Sequence, residues 1–525
     1  MKKLVSMLLS VLMFAALAGC RVRTDPSNPY ANDKKADSNN TLDIIAINKG
    51  YGISWLIALA DEFTKQHPDI EITIRTETDD EVLASQLGLG LAYSKYDLFF
   101  STLTPSNVSL LADISDVYNG APDGTAVKER MDPALLRSFA SEDENGEETY
   151  YSMPWVQSLG GLLANNEALT KALGADWQTK YPVRTTAELE NLAAVLKGKN
   201  LSAFIHAADT SYYQYLYEVW WAQYEGLDAI GDFFSGRSYD AEGNPSLSPS
   251  IFLQEGRVKA VETLESLLSP SKGYSYDISN NIGWNETQTR FMLGDAAFLP
   301  LGDWTVREMA TSFPNSDIRI LRTPVVSSLA GKFGITEEEL RAVIDYADGV
   351  TNEAPALSPK KLFTAEQVIE EVAKARKITF SYADRHTAYV ASYGRGKQHA
   401  VEFLKFMTSN GGQKIFAEVM QGPTLPFGYD VSKDEAIWNS YSPFAKSRWD
   451  IAKDASLYLY RFDLPLGKQN LLPFRITTVA PLEVLLTRSN DRKTANDIIM
   501  TDYNYYTASG NSAWNDLLRK AGLRT

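Results

Sequence analysis

Between Thr41 and Ser101 the chain alternates apolar runs of two different periods, and this alternation restricts the fold more than any other feature of the sequence. TLDIIAI (41–47) reads as a buried strand. After the glycine-containing loop NKGYGIS, Trp55, Leu59 and Phe63 recur every four residues with Leu56 and Ala60 alongside, the spacing of an amphipathic helix. HPD ends that helix, and Ile70, Ile72 and Ile74 then alternate with polar residues as a second strand. A further helix around 80–92 leads into the apolar strand YDLFFS (96–101). Strands alternating with helices predict βαβ units and a largely parallel sheet. Ligands of such sheets sit beyond the carboxyl ends of the strands, which directs attention to Lys49–Ser54 and Thr102–Ser106.

Downstream, YYSMPWVQSLGGLLANNEAL (150–169) carries a Pro-Trp pair into an apolar strand, and VRTTAELENLAAVLKG has a threonine cap and early acids of a helix start. SYYQYLYEVWWAQY (211–224) packs aromatics densely. WNETQTRFMLGDAAFLPLGDW (284–304) reads as helix, turn, strand and a loop ending in Gly-Asp-Trp. Residues 398–419 form two amphipathic helices broken at Ser409–Gly412, followed by the rigid loop GPTLPFGYD.

The only cysteine, Cys20, follows Lys2, Lys3 and an apolar run from Leu4 to Gly19. A charged start, an apolar stretch and small residues before a cut site predict a secretory signal over residues 1–19, and the run is too short to span a bilayer. Leu17-Ala18-Gly19-Cys20 resembles the bacterial lipobox, which implies cleavage before Cys20 and lipidation of its thiol; two acyl chains would anchor the protein stably to a membrane. An ordinary secretory signal with a chance cysteine is the alternative. Residues 20–40, rich in Pro, Asn, Asp and Ser, predict a flexible leash. The formal net charge of −15, two units more negative after cleavage, argues against nucleic acid and anionic lipid surfaces as main partners. No second thiol exists for an internal disulfide, so stability must come from a core, here large enough for two or more domains.

The order of these motifs resembles the extracellular solute-binding proteins of carbohydrate ABC transporters, the group that includes maltose-binding protein. The resemblance is carried by GYGISWLIALADEFTKQHPDIEI, the YDLFF strand, MPWVQSLGGLLANNEAL, VRTTAELENLAAVLKG, QTRFMLGDAAFLPLGDW and GKQHAVEFLKFMTSNGGQKIFAEVMQGPTLPF. It implies an α/β, two-lobed type II binding-protein fold with ligand between the lobes: lobe one over 41–155 and 380–430, lobe two over 156–326 and 431–525. Residues 327–379 look like a helical insertion seen in larger members from Gram-positive bacteria. The implied function is a membrane-anchored receptor on the outer face of the cell membrane, monomeric, not an enzyme and needing no cofactor. It would close on a carbohydrate, an oligosaccharide by expectation, and deliver it to permease subunits.

Sugars present apolar C–H faces and rings of hydroxyls, met by aromatic faces and planar polar groups. Trp304 aligns with a family tryptophan that stacks on sugar, and Asp303 beside it is expected to accept hydroxyl hydrogen bonds; a plain core role is the alternative for Trp304. Trp155 and Gln157 lie at the lobe crossing. Tyr51, Ser54, Thr102 and Thr104 follow strands. Tyr212 and Tyr213 offer a wall, while Tyr217, Trp220, Trp221 and Tyr224 sit at helical spacing as core. Trp284, Asn285 and Tyr393 complete the expected ligand set. The four histidines have no metal-ligand spacing, and SEDENGEE (141–148) lacks the EF-hand pattern, so no metal site is expected. A surface glycosidase, a receptor for another solute and a signalling receptor remain the rival functions.

Overall fold

The computed structural model describes residues 28–30, 40–467 and 493–524, apart from residues 104, 106, 144, 208, 209, 211, 241, 361 and 462. The predicted signal segment, Cys20 and Thr104 lie outside these residues.

The chain enters through β1 (Thr41–Ile47), every residue of which is buried, as expected for a strand covered on both faces. Helix α1 (Ser54–Gln66) turns Trp55, Leu56, Leu59, Ala60 and Phe63 onto it. Strand β2 (Glu71–Glu77), helix α2 (Asp80–Gly88) and strand β3 (Leu98–Ser101) follow, with β1 parallel to both neighbours. Asn28 to Tyr30, expected in the leash, instead dock on this edge: the Asn28 amide donates to the Ile74 carbonyl at 2.9 Å, and the Ile74 N–H to Tyr30 O at 3.1 Å. An edge strand offers free backbone groups, and a polar segment satisfies them as well as an apolar one. The acid run folds as a two-stranded hairpin, Ala140–Glu142 against Glu148–Tyr150.

After β4 (Met153–Pro154) the chain crosses over and enters β5 (Gly160–Asn165). Helix α3 (Thr186–Gly198), capped by Thr185, precedes β6 (Ser202–Phe204) and the aromatic helix α4 (Gln214–Glu225). Helix α5 (Glu255–Leu268) packs on α4. Next come α6 (Trp284–Met292), β7 (Ala296–Gly302), the one-turn α7 (Thr305–Met309) and β8 (Ile318–Leu321). Helices α8 (Glu337–Ala347) and α9 (Ala365–Lys377), each started by a capping box, lead into β9 (Ile378–Phe380). The chain then crosses back to β10 (Thr387–Val390), α10 (Lys397–Thr408) and α11 (Asn410–Met420). Gly412 makes the tight turn between the last two possible, since a Cβ there would lie 2.4 Å from the Phe406 carbonyl oxygen. Helix α12 (Pro443–Ala452) and β11 (Ser456–Tyr458) return to the second sheet's side, and a helix over Ala495–Lys520, kinked at Ala508–Asn511, packs near α5.

Two sheets result. The first runs β2-β1-β3-β10-β4; the second runs β11-β9-β5-β7-β6, with β8 also on β5. Parallel pairing holds among β1 to β3, and in the second sheet for β6 on β7 and for β9 on β11. Strand β10 is antiparallel to β3, and β5 is antiparallel to β7, β8 and β9. The cause is the double crossing: a strand delivered from the other lobe enters from the opposite end. Residues 327–379, expected as an insertion, pack on the outer helices of the second lobe, through Thr185 to Glu337 at 2.6 Å, Arg184 to Asp345 and the Lys332 ammonium on the Tyr224 carbonyl.

Candidate functional site

The two crossing segments are hydrogen-bonded to each other. Trp155 N–H donates to His386 O at 2.9 Å, Tyr382 N–H to Ser158 Oγ at 2.9 Å, and Ser381 Oγ to Ser158 O at 2.6 Å. Beside this pair, between the loops that leave β1, β3 and β7, opens a cavity of about 440 Å³. It has the position expected from the strand order and a size typical of small-molecule sites, about 300–1,000 Å³.

Lys49, Gly50 and Tyr51 after β1, and Thr102 and Leu103 after β3, form one wall; Tyr212, Trp284, Trp304 and Glu308 form the facing wall; Trp155, Tyr382, Arg385 and His386 come from the crossing. Trp304 is seated by two glycines. Its six-membered ring lies directly over Gly302, where a Cβ would fall 1.9 Å from Cζ3, and a Cβ on Gly50 would lie 3.4 Å from the Trp304 Cβ. Tyr51, Tyr212 and Tyr215 meet the indole edge-on, with centroids at 6.3, 5.6 and 6.3 Å. Trp155 is stacked at 5.0 Å on Trp55 and donates its ring N–H to Ser101 O at 2.9 Å, so it stands as a rigid plate backed by α1 and β3.

Polar groups between these plates are held in place. Asp80 accepts from Thr102 N–H and Oγ1 at 2.8 and 2.7 Å, from Ser101 Oγ at 2.8 Å, and from Lys49 at 3.3 Å. Burial pushes its carboxyl up, but these donors outweigh burial and keep it below its ordinary value. The Glu308 carboxylate accepts from Gly50 N–H at 3.1 Å and from Gln288 at 3.0 Å; burial raises its pKa against both bonds. His386 is pushed down to about 4 by burial and is neutral near pH 7. Its Nδ1 lies 2.9 Å from the Tyr382 carbonyl, an acceptor, so Nδ1 carries the proton and Nε2 is an acceptor.

Among the residues expected at the site, Trp304, Trp155, Tyr51, Thr102, Tyr212 and Trp284 line this cavity. Asp303 does not offer itself to a ligand. It is fully buried behind Trp304, with Tyr51 Oη donating to one oxygen at 2.5 Å and Arg448 Nε to the other at 2.6 Å. Burial pushes its carboxyl up, opposed by the Arg448 charge and by those bonds. Arg448 also donates to Gln157 O, tying α12 to the crossing. Gln157 faces Thr424, with N–H to Thr424 O at 2.8 Å, outside the cavity. Ser54 receives the Arg307 guanidinium, which also reaches Val419 O at 3.1 Å and so bridges α7 to the first lobe. Tyr213 is buried with its edge on His206. Asn285 is exposed beside Trp284, and Tyr393 donates to Leu87 O at 3.0 Å within lobe one. Tyr382, Arg385 and His386 went unread, although a chain that crosses once near 155 must cross back, and SYADRH sits at that return. Lys49, Gly50 and Leu103 adjoin expected residues; Glu308 lies one turn beyond Trp304.

Residues 58–443 match the sequence profile of a family described as bacterial extracellular solute-binding protein. The chain belongs to this family. By that description its members bind solutes outside the cell. The chain is similar to a probable secreted solute-binding lipoprotein from Streptomyces coelicolor: 14% identity, 90% of this chain and 100% of that one covered, TM-score 0.57. It is similar to an ABC substrate-binding protein from Listeria monocytogenes in complex with cycloalternan, at 14% identity, 92% and 99% coverage and TM-score 0.56. It is also similar to the GacH receptor of Streptomyces glaucescens, solved unliganded and with acarbose, at 17% identity, 91% and 98% coverage and TM-score 0.52. None of the curated proteins compared with the chain matches it. These likenesses concern the fold. Among the described residues no helix is long and apolar enough to cross a membrane.

Proposed function

We propose that this solute-binding protein captures a carbohydrate, an oligosaccharide in particular, by closure of its two lobes and hands it to the membrane subunits of an ABC importer. The lobes comprise 41–155 with 380–430 and 156–326 with 431–525, the protein acts as a monomer, and a lipid on Cys20 holds it at the outer face of a Gram-positive cell membrane. One observation carries the reading: the interlobe cavity is walled by Trp155, Tyr212, Trp284, Trp304 and Tyr382, interleaved with Lys49, Thr102, Glu308, Arg385 and His386. Aromatic plates suit the C–H faces of a sugar, and the fixed donors and acceptors suit its hydroxyls. The acarbose and cycloalternan bound by two structural relatives are sugars of this kind. Two or three good stacks at about 0.5–1.5 kcal/mol each beyond burial, with hydrogen bonds, reach micromolar affinity, about −8 kcal/mol.

Hydrolysis needs two carboxylates about 5–10 Å apart across the bond. Glu308 is the one carboxylate among the described lining residues, and Asp303 is bound by Tyr51 and Arg448, which supports binding rather than cleavage. A thermal-shift screen against mono- and oligosaccharides, followed by calorimetry, tests the proposal. A sugar that raises the melting temperature and is recovered uncut supports it. A screen in which amino acids, peptides or polyamines stabilise and no sugar does would refute it.

A further inference from the structure

Behind the Tyr212–Trp284 side of the cleft lies a second, much smaller cavity of about 10 Å³, sharing those two residues with the main site and lined also by His206, Tyr213 and Thr287. Its volume is about that of one water-sized group. Two of the polar side chains that line it each carry an unsatisfied atom. His206, at 3% exposure, has no hydrogen-bond partner at Nδ1, and Thr287, at 2%, has none at Oγ1. Buried polar atoms are almost always paired, and each orphan costs about 1–3 kcal/mol. Thr287 does not even return its hydroxyl to its own helix, the usual refuge of a helical threonine.

The chemistry of the two atoms selects their partner. His206 is neutral near pH 7, its pKa lowered by burial to about 4. Its Nε2 lies 2.7 Å from Asn280 Oδ1, so the proton sits on Nε2 and Nδ1 presents a bare lone pair. The guest must therefore donate to Nδ1. The Thr287 hydroxyl both donates and accepts. A carboxylate lacks the donor, an ammonium lacks an acceptor, and a methyl leaves both atoms orphaned. A hydroxyl satisfies both, whether it belongs to a single water or to an alcohol that takes the water's place.

Resting on the carbohydrate reading above, we infer that this niche is a specificity pocket for one hydroxymethyl arm of the bound sugar, its hydroxyl donating to His206 Nδ1 and pairing with Thr287 Oγ1. A ring hydroxyl stays close to the ring and would be held at the Tyr212–Trp284 wall. A hydroxymethyl group stands one carbon further out and reaches past it. The pocket thus favours hexose units over pentoses and over 6-deoxy sugars.

Calorimetric titration of the full chain with maltotriose, raffinose and xylotriose tests this, for the wild type, Thr287→Val, Thr287→Ser and His206→Phe. Thr287→Val keeps shape and removes the hydroxyl; Thr287→Ser keeps the hydroxyl and checks that a loss is not a packing defect. We expect a hexose trisaccharide to bind the wild type, about tenfold weaker binding to Thr287→Val and His206→Phe, recovery in Thr287→Ser, and at least tenfold weaker binding of xylotriose, insensitive to the valine substitution. Unchanged hexose affinity in Thr287→Val, or equal losses for xylotriose and the hexose sugars, would overturn the niche while leaving the carbohydrate reading standing. Absence of binding to all three sugars and to the wider screen overturns both.

Discussion

Gly302→Ala is the sharpest probe of how the cleft is built. The added Cβ would lie 1.9, 2.2 and 2.3 Å from Cζ3, Cη2 and Cε3 of Trp304. Carbon atoms in contact rest at about 3.5–4.0 Å, so the indole must retreat by roughly 1.5 Å or more. Gly50, Tyr51, Tyr212 and Tyr215 close the other directions, which leaves the cavity itself as the direction of escape. Two costs follow. Overpacking a filled site destabilises by about 1–3 kcal/mol. Loss of the stacking geometry removes about 0.5–1.5 kcal/mol of binding, a roughly two- to tenfold rise in Kd, and the displaced ring also occupies ligand space. Alanine suits a strand backbone at least as well as glycine, so the loss reports the ring rather than the main chain. Calorimetry with the sugar found by screening measures Kd, thermal denaturation measures the stability cost, and near-ultraviolet circular dichroism follows the indole. An alanine variant with wild-type affinity, melting temperature and aromatic signal would refute the seating of Trp304 on Gly302. Trp304→Ala, by comparison, should weaken binding at least tenfold, but it also empties a buried site at a cost of about 3–5 kcal/mol, so its affinity loss is read less cleanly.

Other perturbations have signs fixed by the same geometry. Arg448→Met leaves the Asp303 carboxylate buried with Tyr51 as its remaining side-chain donor, and should lower unfolding free energy by about 3–5 kcal/mol in urea titrations. Arg307→Ala cuts the bridge from α7 to Ser54 and Val419; small-angle scattering should show a larger radius of gyration and calorimetry an affinity about tenfold weaker, through loss of charged hydrogen bonds. Burial pushes the Asp384 carboxyl up to about 7, against the nearby Arg385 charge. The folded chain therefore holds a proton that the unfolded chain releases, and this group's contribution to stability falls as pH rises from about 4 to about 7, by on the order of 4 kcal/mol. Asp384→Asn should remove that slope, measured as the difference in denaturation midpoint between the two proteins across the window.

What the sequence disclosed and what it withheld divide along a physical line. Period reports which face of an element is buried, so TLDIIAI, the Trp55–Phe63 stripe and the strand before Gly302 were legible, and so was the aromatic core of α4. The loops after β1 and β3 were found by the rule that parallel sheets bind ligand at their carboxyl ends, and Tyr51 and Thr102 do line the cavity. Period does not report which buried surface faces an empty volume. Tyr212 and Tyr213 are neighbours of the same type, yet one is on the cleft and the other packs its edge on His206, a difference decided by the direction in which the chain enters α4. Asp303 was misread for a related reason: a carboxylate beside a stacking tryptophan looks like a sugar ligand until the partners 252 and 145 positions away in the chain, Tyr51 and Arg448, are known to hold it. Tyr382, Arg385 and His386 reach the site because the return crossing pairs with residues 155–158, more than two hundred positions earlier. Such contacts arise only when the second lobe is in place. A binding cleft between lobes is a property of that placement, and its aromatic plates announce themselves locally while its polar groups do not. A hydrogen-bonding side chain looks the same in sequence whether its partner is a ligand or an arginine at the far end of the fold.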